Sequence, residues 1–146
     1  MLSQKARYAL HALIVLAEHG DSEPIMIADV AARARVPRKF LEQILLDLKK
    51  RGIVRSLRGR SGGYLLGKSP KNITFAEVIR TIDGPLALAP CVSTTAYHKC
   101  DDCLDEETCA IRKVLLAARD ATAAILEERT LAGALPSKRR TRAPAS

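Results

Sequence analysis

A chain of 146 residues with 47% hydrophobic and 27% charged residues has ordinary globular composition, and at that length it can bury a core without a disulfide framework. Aromatics make up 3% and Trp is absent, so the core must be Leu, Ile, Val and Ala, which suits helices. The net charge of +8 suggests a polyanionic partner, while the lack of a membrane-length apolar run or a cleavable leader predicts a cytoplasmic protein with no membrane partner.

Ser3 is placed to cap a first helix running to about Glu18, with Ala9, Leu10, Leu13, Leu16 and Ala17 on one face. The run HGDSEP breaks it. A second, shorter helix is expected from Ile27 to Ala34, turning Ile27, Val30, Ala31 and Ala34 inward, although Met26 stands where a Ser or Thr cap is preferred. RVP then reverses the chain so that Pro37 occupies the first position of a third helix. That helix carries Phe40, Leu41, Ile44, Leu45 and Leu48 on its buried stripe and stops near Gly52. Three short helices with a tight turn before the third match a helix-turn-helix.

After Gly52, IVRSL is apolar and β-branched, RGRSGG is turn chemistry and YLL resumes an apolar run, so a β-hairpin with a basic tip follows as a wing. Thr74 and Glu77 form a capping box that opens TFAEVIRTI, which DGP closes. From about Ala110 a long helix sets Ile111, Val114, Leu115, Ala118, Ala121 and Ile125 along one side. That stripe is too apolar for a solitary surface helix, and a second copy of the chain is expected to cover it. The fold class is therefore mainly α with a small β-hairpin. A winged helix-turn-helix domain is expected over 1–84, a cysteine-containing sensor loop over 85–109, a dimerisation helix over 110–135 and a disordered basic tail over 136–146.

From Arg38 to Lys71 ten basic residues face two acidic ones, whereas from Cys91 to Cys109 five acidic residues face Lys99 alone. The first segment suits a nucleic acid. On the third helix the stripe opposite the core holds Lys39, Glu42, Gln43 and Leu46, with Arg38 at the N-terminal end. A recognition helix presents such positions to base edges in the major groove. Gln43 can pair with adenine, Arg38 or Lys39 with guanine, and Glu42 can accept from cytosine. Lys49, Lys50 and Arg55 suit phosphates, and Arg58 and Arg60 at the wing tip suit a narrow minor groove. A merely solvated basic face is the plainer alternative, but charge, helical spacing and hairpin coincide here.

GGYLLGKS, from Gly62 to Ser69, satisfies the phosphate-binding pattern G-x-x-x-x-G-K-[ST] letter for letter. Its middle is apolar strand and Pro70 follows at once, so the loop and helix the pattern needs are not expected. No nucleophile–base pair, catalytic carboxylate pair or cofactor fingerprint stands elsewhere, and no enzyme is expected.

All four cysteines fall in CVSTTAYHKCDDCLDEETC, with spacing C-x8-C-x2-C-x5-C. In a reducing compartment such clustering reads as metal-binding or redox-active rather than as a disulfide staple. Zinc sites more often show two CxxC pairs, and only Cys100–Cys103 is one here. Asp101 and Asp102 between those sulfurs should oppose thiolate formation and so disfavour dithiol catalysis. His98 is an available nitrogen donor, though a lone His in a polar loop is usually just solvated.

LSQKARYALHALIVLA, FLEQILLDLKKRGIVRSLRGRSGGYLL, a C-x5-C pair followed by AIR, and a long helix ending in RTLAGAL together resemble the Rrf2 family of bacterial winged-helix regulators, which includes IscR, NsrR and RirA. The resemblance covers about residues 1–135. It implies a homodimeric transcription regulator, with repression the expected sign, that binds a near-palindromic double-stranded operator. It also implies an iron-sulfur cluster, [2Fe-2S] or [4Fe-4S], on three cysteines plus a variable fourth ligand, sensing iron, nitric oxide or redox state. By position Cys91, Cys103 and Cys109 correspond to the three. Cys100 departs from the family pattern and can be the fourth ligand, a substitute for Cys103 or a spectator; the longer gap after Cys91 is a second departure. Some family members carry no cluster, so a thiol switch or a zinc-stabilised interaction module of the same fold stands as the alternative.

Overall fold

Ser3 caps the first helix: its hydroxyl accepts from the Ala6 amide at 3.0 Å, and α1 runs over Gln4–His19 to Gly20 in the computed structural model, which describes residues 2–136. Ala6, Ala9 and Ala12 are fully buried beside Leu13, Val15 and Leu16, and these short side chains let other helices lie close against α1. The Ser3 hydroxyl and amide also donate to the carboxylate of Asp83, tying the start of α1 to the end of α4 (Phe75–Asp83).

α2 spans Ile27–Ala34 with Met26 at its N-cap making no side-chain cap bond. It ends at Arg35 in the left-handed region, φ 56°, whose amide returns to the carbonyls of Ala31 and Ala32. This reversal buries Val36 and launches α3, Arg38–Lys50. Pro37 is the N-cap of α3 rather than its first helical residue. Its ψ of 129° is a cap conformation, and its carbonyl accepts from Phe40 and Leu41. Leu41, Ile44, Leu45 and Leu48 are fully buried, but Phe40, expected with them, is 61% exposed. At about 100° per residue Phe40 falls beside the stripe, and its ring meets Tyr8 of α1 at 6.3 Å instead.

The wing forms as expected. β1 (Val54–Leu57) pairs antiparallel with β2 (Gly63–Leu66), Val54 opposite Leu66 and Leu57 opposite Gly63. Ile25, just before α2, exchanges both backbone hydrogen bonds with Tyr64 and roots the hairpin on the helices. Only glycine fits at position 63: its φ is 154°, and a Cβ there would stand 2.3 Å from the Ile25 carbonyl oxygen.

Half of the expected capping box is present at α4. Thr74 Oγ1 accepts from the Glu77 amide at 3.1 Å, but the Glu77 carboxylate turns to Lys68 Nζ at 2.7 Å, because a full ammonium outcompetes a backbone amide for it. α5 runs over Ala110–Glu128 and stops short of the expected residue 135. Arg129 is extended, Thr130 bridges to Thr74, and α6 (Leu131–Ala134) turns Leu131 fully into the core among α1 and the residues before α4. The expected basic tail lies, beyond Pro136, outside the described residues. No described helix is long and apolar enough to cross a membrane.

Candidate DNA-reading face and cysteine cleft

The nine residues expected to meet DNA are all exposed on one half of the molecule. Arg38, Lys39, Glu42 and Gln43 stand on the outer face of α3, Lys49 and Lys50 at its C-terminal end, Arg55 in β1, and Arg58 and Arg60 in the turn joining the strands. Arg38 Nε lies 3.7 Å from Glu42 Oε1, so the one acid among them is offset by a cation one turn away. Asp47 had no role in the sequence reading, yet Gln43 Nε2 donates to its Oδ1 at 3.0 Å and Lys5 Nζ holds its Oδ2 at 2.7 Å. Asp47 is held below the ordinary carboxylate range, chiefly by the Lys5 hydrogen bond; partial burial opposes this, and Gln43 and Lys50 reinforce it.

The phosphate-loop pattern has no loop. Gly63–Leu66 is strand, Lys68 is engaged by Glu77, and Pro70 opens a three-residue 3-10 turn rather than a helix whose amides could cradle phosphate.

The cysteine segment wraps the start of α5. Cys91 sits buried in a 3-10 turn, Pro90–Val92; Cys100 and Cys103 close a turn through a 3.0 Å backbone bond; and Cys109 is the N-cap of α5, its Sγ accepting from the Arg112 amide at 3.4 Å. All four are free thiols and line one cleft of about 480 Å³, walled by Leu104, Ile111 and Leu115. Among the described residues Arg112 is the one cation of that wall, which also carries Asp102 and Asp105: its Nη2 reaches the Cys91 carbonyl at 3.5 Å, while its buried Nε has no partner among them. Arg119, two turns on, donates to the Val92 carbonyl at 2.7 Å, so two arginines of α5 grip the Cys91 turn.

The Cys100 thiol is pushed above its ordinary value mainly by its hydrogen bond with Cys91, then by burial, with Asp102 adding to the shift. Burial is the main cause for Cys103, with Glu106 and the neighbouring thiols adding and Lys99 opposing. The expected effect of an acidic neighbour is thus present at Asp102. His98 is exposed, lies off the cleft wall and faces Asp101 at 3.6 Å. Among the described residues no three His, Cys, Asp or Glu side chains are arranged to hold a single metal ion.

α5 has no buried residue along its 19 positions. Ile111, Val114 and Ile125 are 71%, 68% and 59% exposed and, with Ala118 and Ala121, recur at alternating steps of three and four. That spacing makes a continuous seam, the pattern by which helices pair. Leu115, also expected on the seam, lines the cysteine cleft, as Ile111 does.

Three packed helices, a two-stranded wing and a basic outer face on the third helix define a winged helix-turn-helix transcription regulator that binds DNA. Residues 2–136 match the Rrf2 family, described as an iron-dependent transcriptional regulator. The chain belongs to the Rrf2 family. It is 52% identical over 117 residues to an rrf2-like HTH-type regulator of Rhodobacter capsulatus, covering 78% of each chain. It is 38% identical over 103 residues to the HTH-type transcriptional regulator IscR of Photorhabdus laumondii, covering 70% of this chain and 63% of that one. Among solved structures, CymR, the global cysteine regulator of B. subtilis, superposes with a TM-score of 0.75 at 30% identity, covering 92% of this chain and 95% of that one. These are regulators and not enzymes, in line with the expectation from the sequence.

Proposed function

We propose that this chain is a homodimeric regulator, a repressor by expectation, that reads a near-palindromic operator and carries an iron-sulfur cluster on the cysteine cleft. The observation that carries the reading is the cleft itself: four free thiols line one cavity, and Arg112 on its wall keeps a buried Nε without a partner among the described residues. The donor set fits. Thiolates are the ligands of such clusters, and Arg112 offsets part of the negative charge that a thiolate-bound group would add to a cleft already lined by Asp102 and Asp105.

Cys91, Cys103 and Cys109 are the proposed ligands, and Cys100, on the same cleft, is the fourth. A bound cluster supplies a centre responsive to iron, nitric oxide or redox state. The chain's own residues relay what happens there: Cys109 caps α5, and Arg112 and Arg119 fasten the Cys91 turn to it, so a shift of the segment is felt along the dimer seam. Such a change alters operator affinity only by the difference in binding between two arrangements. Two α3 helices in the dimer then meet half-sites about one helical turn apart, or a multiple.

A second reading rests on Cys91 and Cys100 lining the same cleft, with Cys91 the main influence on the Cys100 thiol. Oxidation by a peroxide would join them, two thiols giving up two electrons and two protons to leave a disulfide as the peroxide is reduced to water, and an oxidised form is known of the similar Staphylococcus aureus CymR. Purification without oxygen, followed by the visible spectrum and the iron, sulfide and zinc content per chain, separates the two. Matched iron and sulfide with visible absorption support the cluster. A colourless protein with neither, even after reconstitution, overturns it; zinc then indicates a structural site, and no metal the thiol switch.

A further inference from the structure

Gln43 stands on the outer face of α3 at the proposed base-reading position, and its side chain is already held. A glutamine amide can turn over and exchange its donor and acceptor ends, so by itself it can present either pattern to a base. Asp47, one turn further along α3, removes that freedom. Its carboxylate has no proton to give, so only the amide nitrogen of Gln43 can face it, as the 3.0 Å Nε2 to Oδ1 bond shows. The other carboxylate oxygen is pinned at 2.7 Å by Lys5 Nζ, which projects from α1, a different element. Asp47 is only 24% exposed and Lys5 42%, so the pair is partly sheltered from solvent.

We propose that Lys5 and Asp47 form a positioning relay for Gln43, fixing its amide so that the carbonyl oxygen and the remaining amide hydrogen are offered to the major groove. That pattern matches adenine, whose N6 amino group donates and whose N7 accepts. The relay rests on Gln43 reading a base. It gives the otherwise costly acid at position 47, on a basic helix, a task that phosphate binding does not require. Lys5 keeps the acid charged and carries the geometry of α1 into the reading position.

The test is selection of binding sites from a random synthetic duplex pool by the full-length protein and by Gln43→Ala, Asp47→Asn and Lys5→Met, each checked for an unchanged helical circular dichroism spectrum. Asparagine keeps the shape of aspartate but can both donate and accept, so it no longer dictates which end of the Gln43 amide faces it. Wild type should prefer adenine at one base pair per half-site, and Gln43→Ala should erase that preference. Asp47→Asn should reduce it about tenfold at that pair alone, while binding to all sequences strengthens slightly because one negative charge has left the DNA face. Lys5→Met should lower the same preference by a smaller factor. If Gln43→Ala erases the preference and Asp47→Asn leaves it whole, the relay is wrong and the base contact stands. If Gln43→Ala changes no preference, the base contact itself fails. Uniform weakening across all sequences by Asp47→Asn would make the acid a structural tie between α1 and α3 and overturn the relay.

Discussion

Cys100 and Cys103 sit three residues apart and lose acidity for different reasons, chiefly the neighbouring Cys91 at Cys100 and burial at Cys103. A raised pKa means less thiolate at a given pH, so in the reduced, metal-free protein both should be alkylated more slowly near pH 8 than a free cysteine of pKa about 8.5. Iodoacetamide labelling followed by mass spectrometry against pH should show their half-rates displaced upward, and a midpoint below the free value would contradict the assignment. Arg112 gives a second test at this scale. Arg112→Met keeps much of the packing and removes the partly buried cation beside the thiols, so the reconstituted protein should hold less iron and sulfide per chain; full occupancy with unchanged resistance to chelator would argue against a role for Arg112. That the four cysteines line one cleft was legible from their clustering. Arg112 was not, because its role comes from the cap geometry at Cys109, which folds the guanidinium back over the Cys91 turn. Phe40 misled for a related reason: an aromatic next to a Leu-rich stripe looks buried until the rotation of α3 against α1 is known.

α1 to α4 and the wing follow closely from apolar spacing, caps and turn residues, because those signals act within a few residues of one another. The end of α5 does not. Nothing local in EERTLAGAL stops a helix strongly; the stop comes from Phe75 donating to the Arg129 carbonyl and Leu131 donating to Ile73, contacts made across more than fifty positions. Leu131 thereby fastens the far end of α5 to the winged-helix core. Leu131→Ala should cost about 2 to 5 kcal/mol in denaturant unfolding, as for other fully buried leucines, whereas Leu104→Ala at a 98% exposed position should stay within about 0.5 kcal/mol. Equal effects would mean that the return of the chain after Thr130 contributes nothing to stability.

In the whole molecule the two proposed activities lie on different elements, DNA reading on α3 and the wing, and cluster binding on the segment that caps α5. They meet through α5, which is gripped at its start by the cysteine turn, anchored at its end by Leu131 and left with an open apolar seam between. Placing Glu at both Val114 and Ala118 should bury two carboxylates in that seam and shift the protein to monomers in sedimentation velocity, with unchanged circular dichroism and weakened binding to a two-half-site operator. A dimer that survives both changes would place the contact between copies elsewhere. The most direct measurement is operator affinity for a single anaerobic preparation, before and after removal of its iron and sulfide, on a duplex chosen by selection. The expected result is the same sequence preference in both states with affinity differing by about fivefold or more, as the proposed coupling of cleft and operator through one dimer requires. Equal affinity in the two states would contradict the coupling and leave a DNA-binding regulator whose cysteine cleft serves some other purpose.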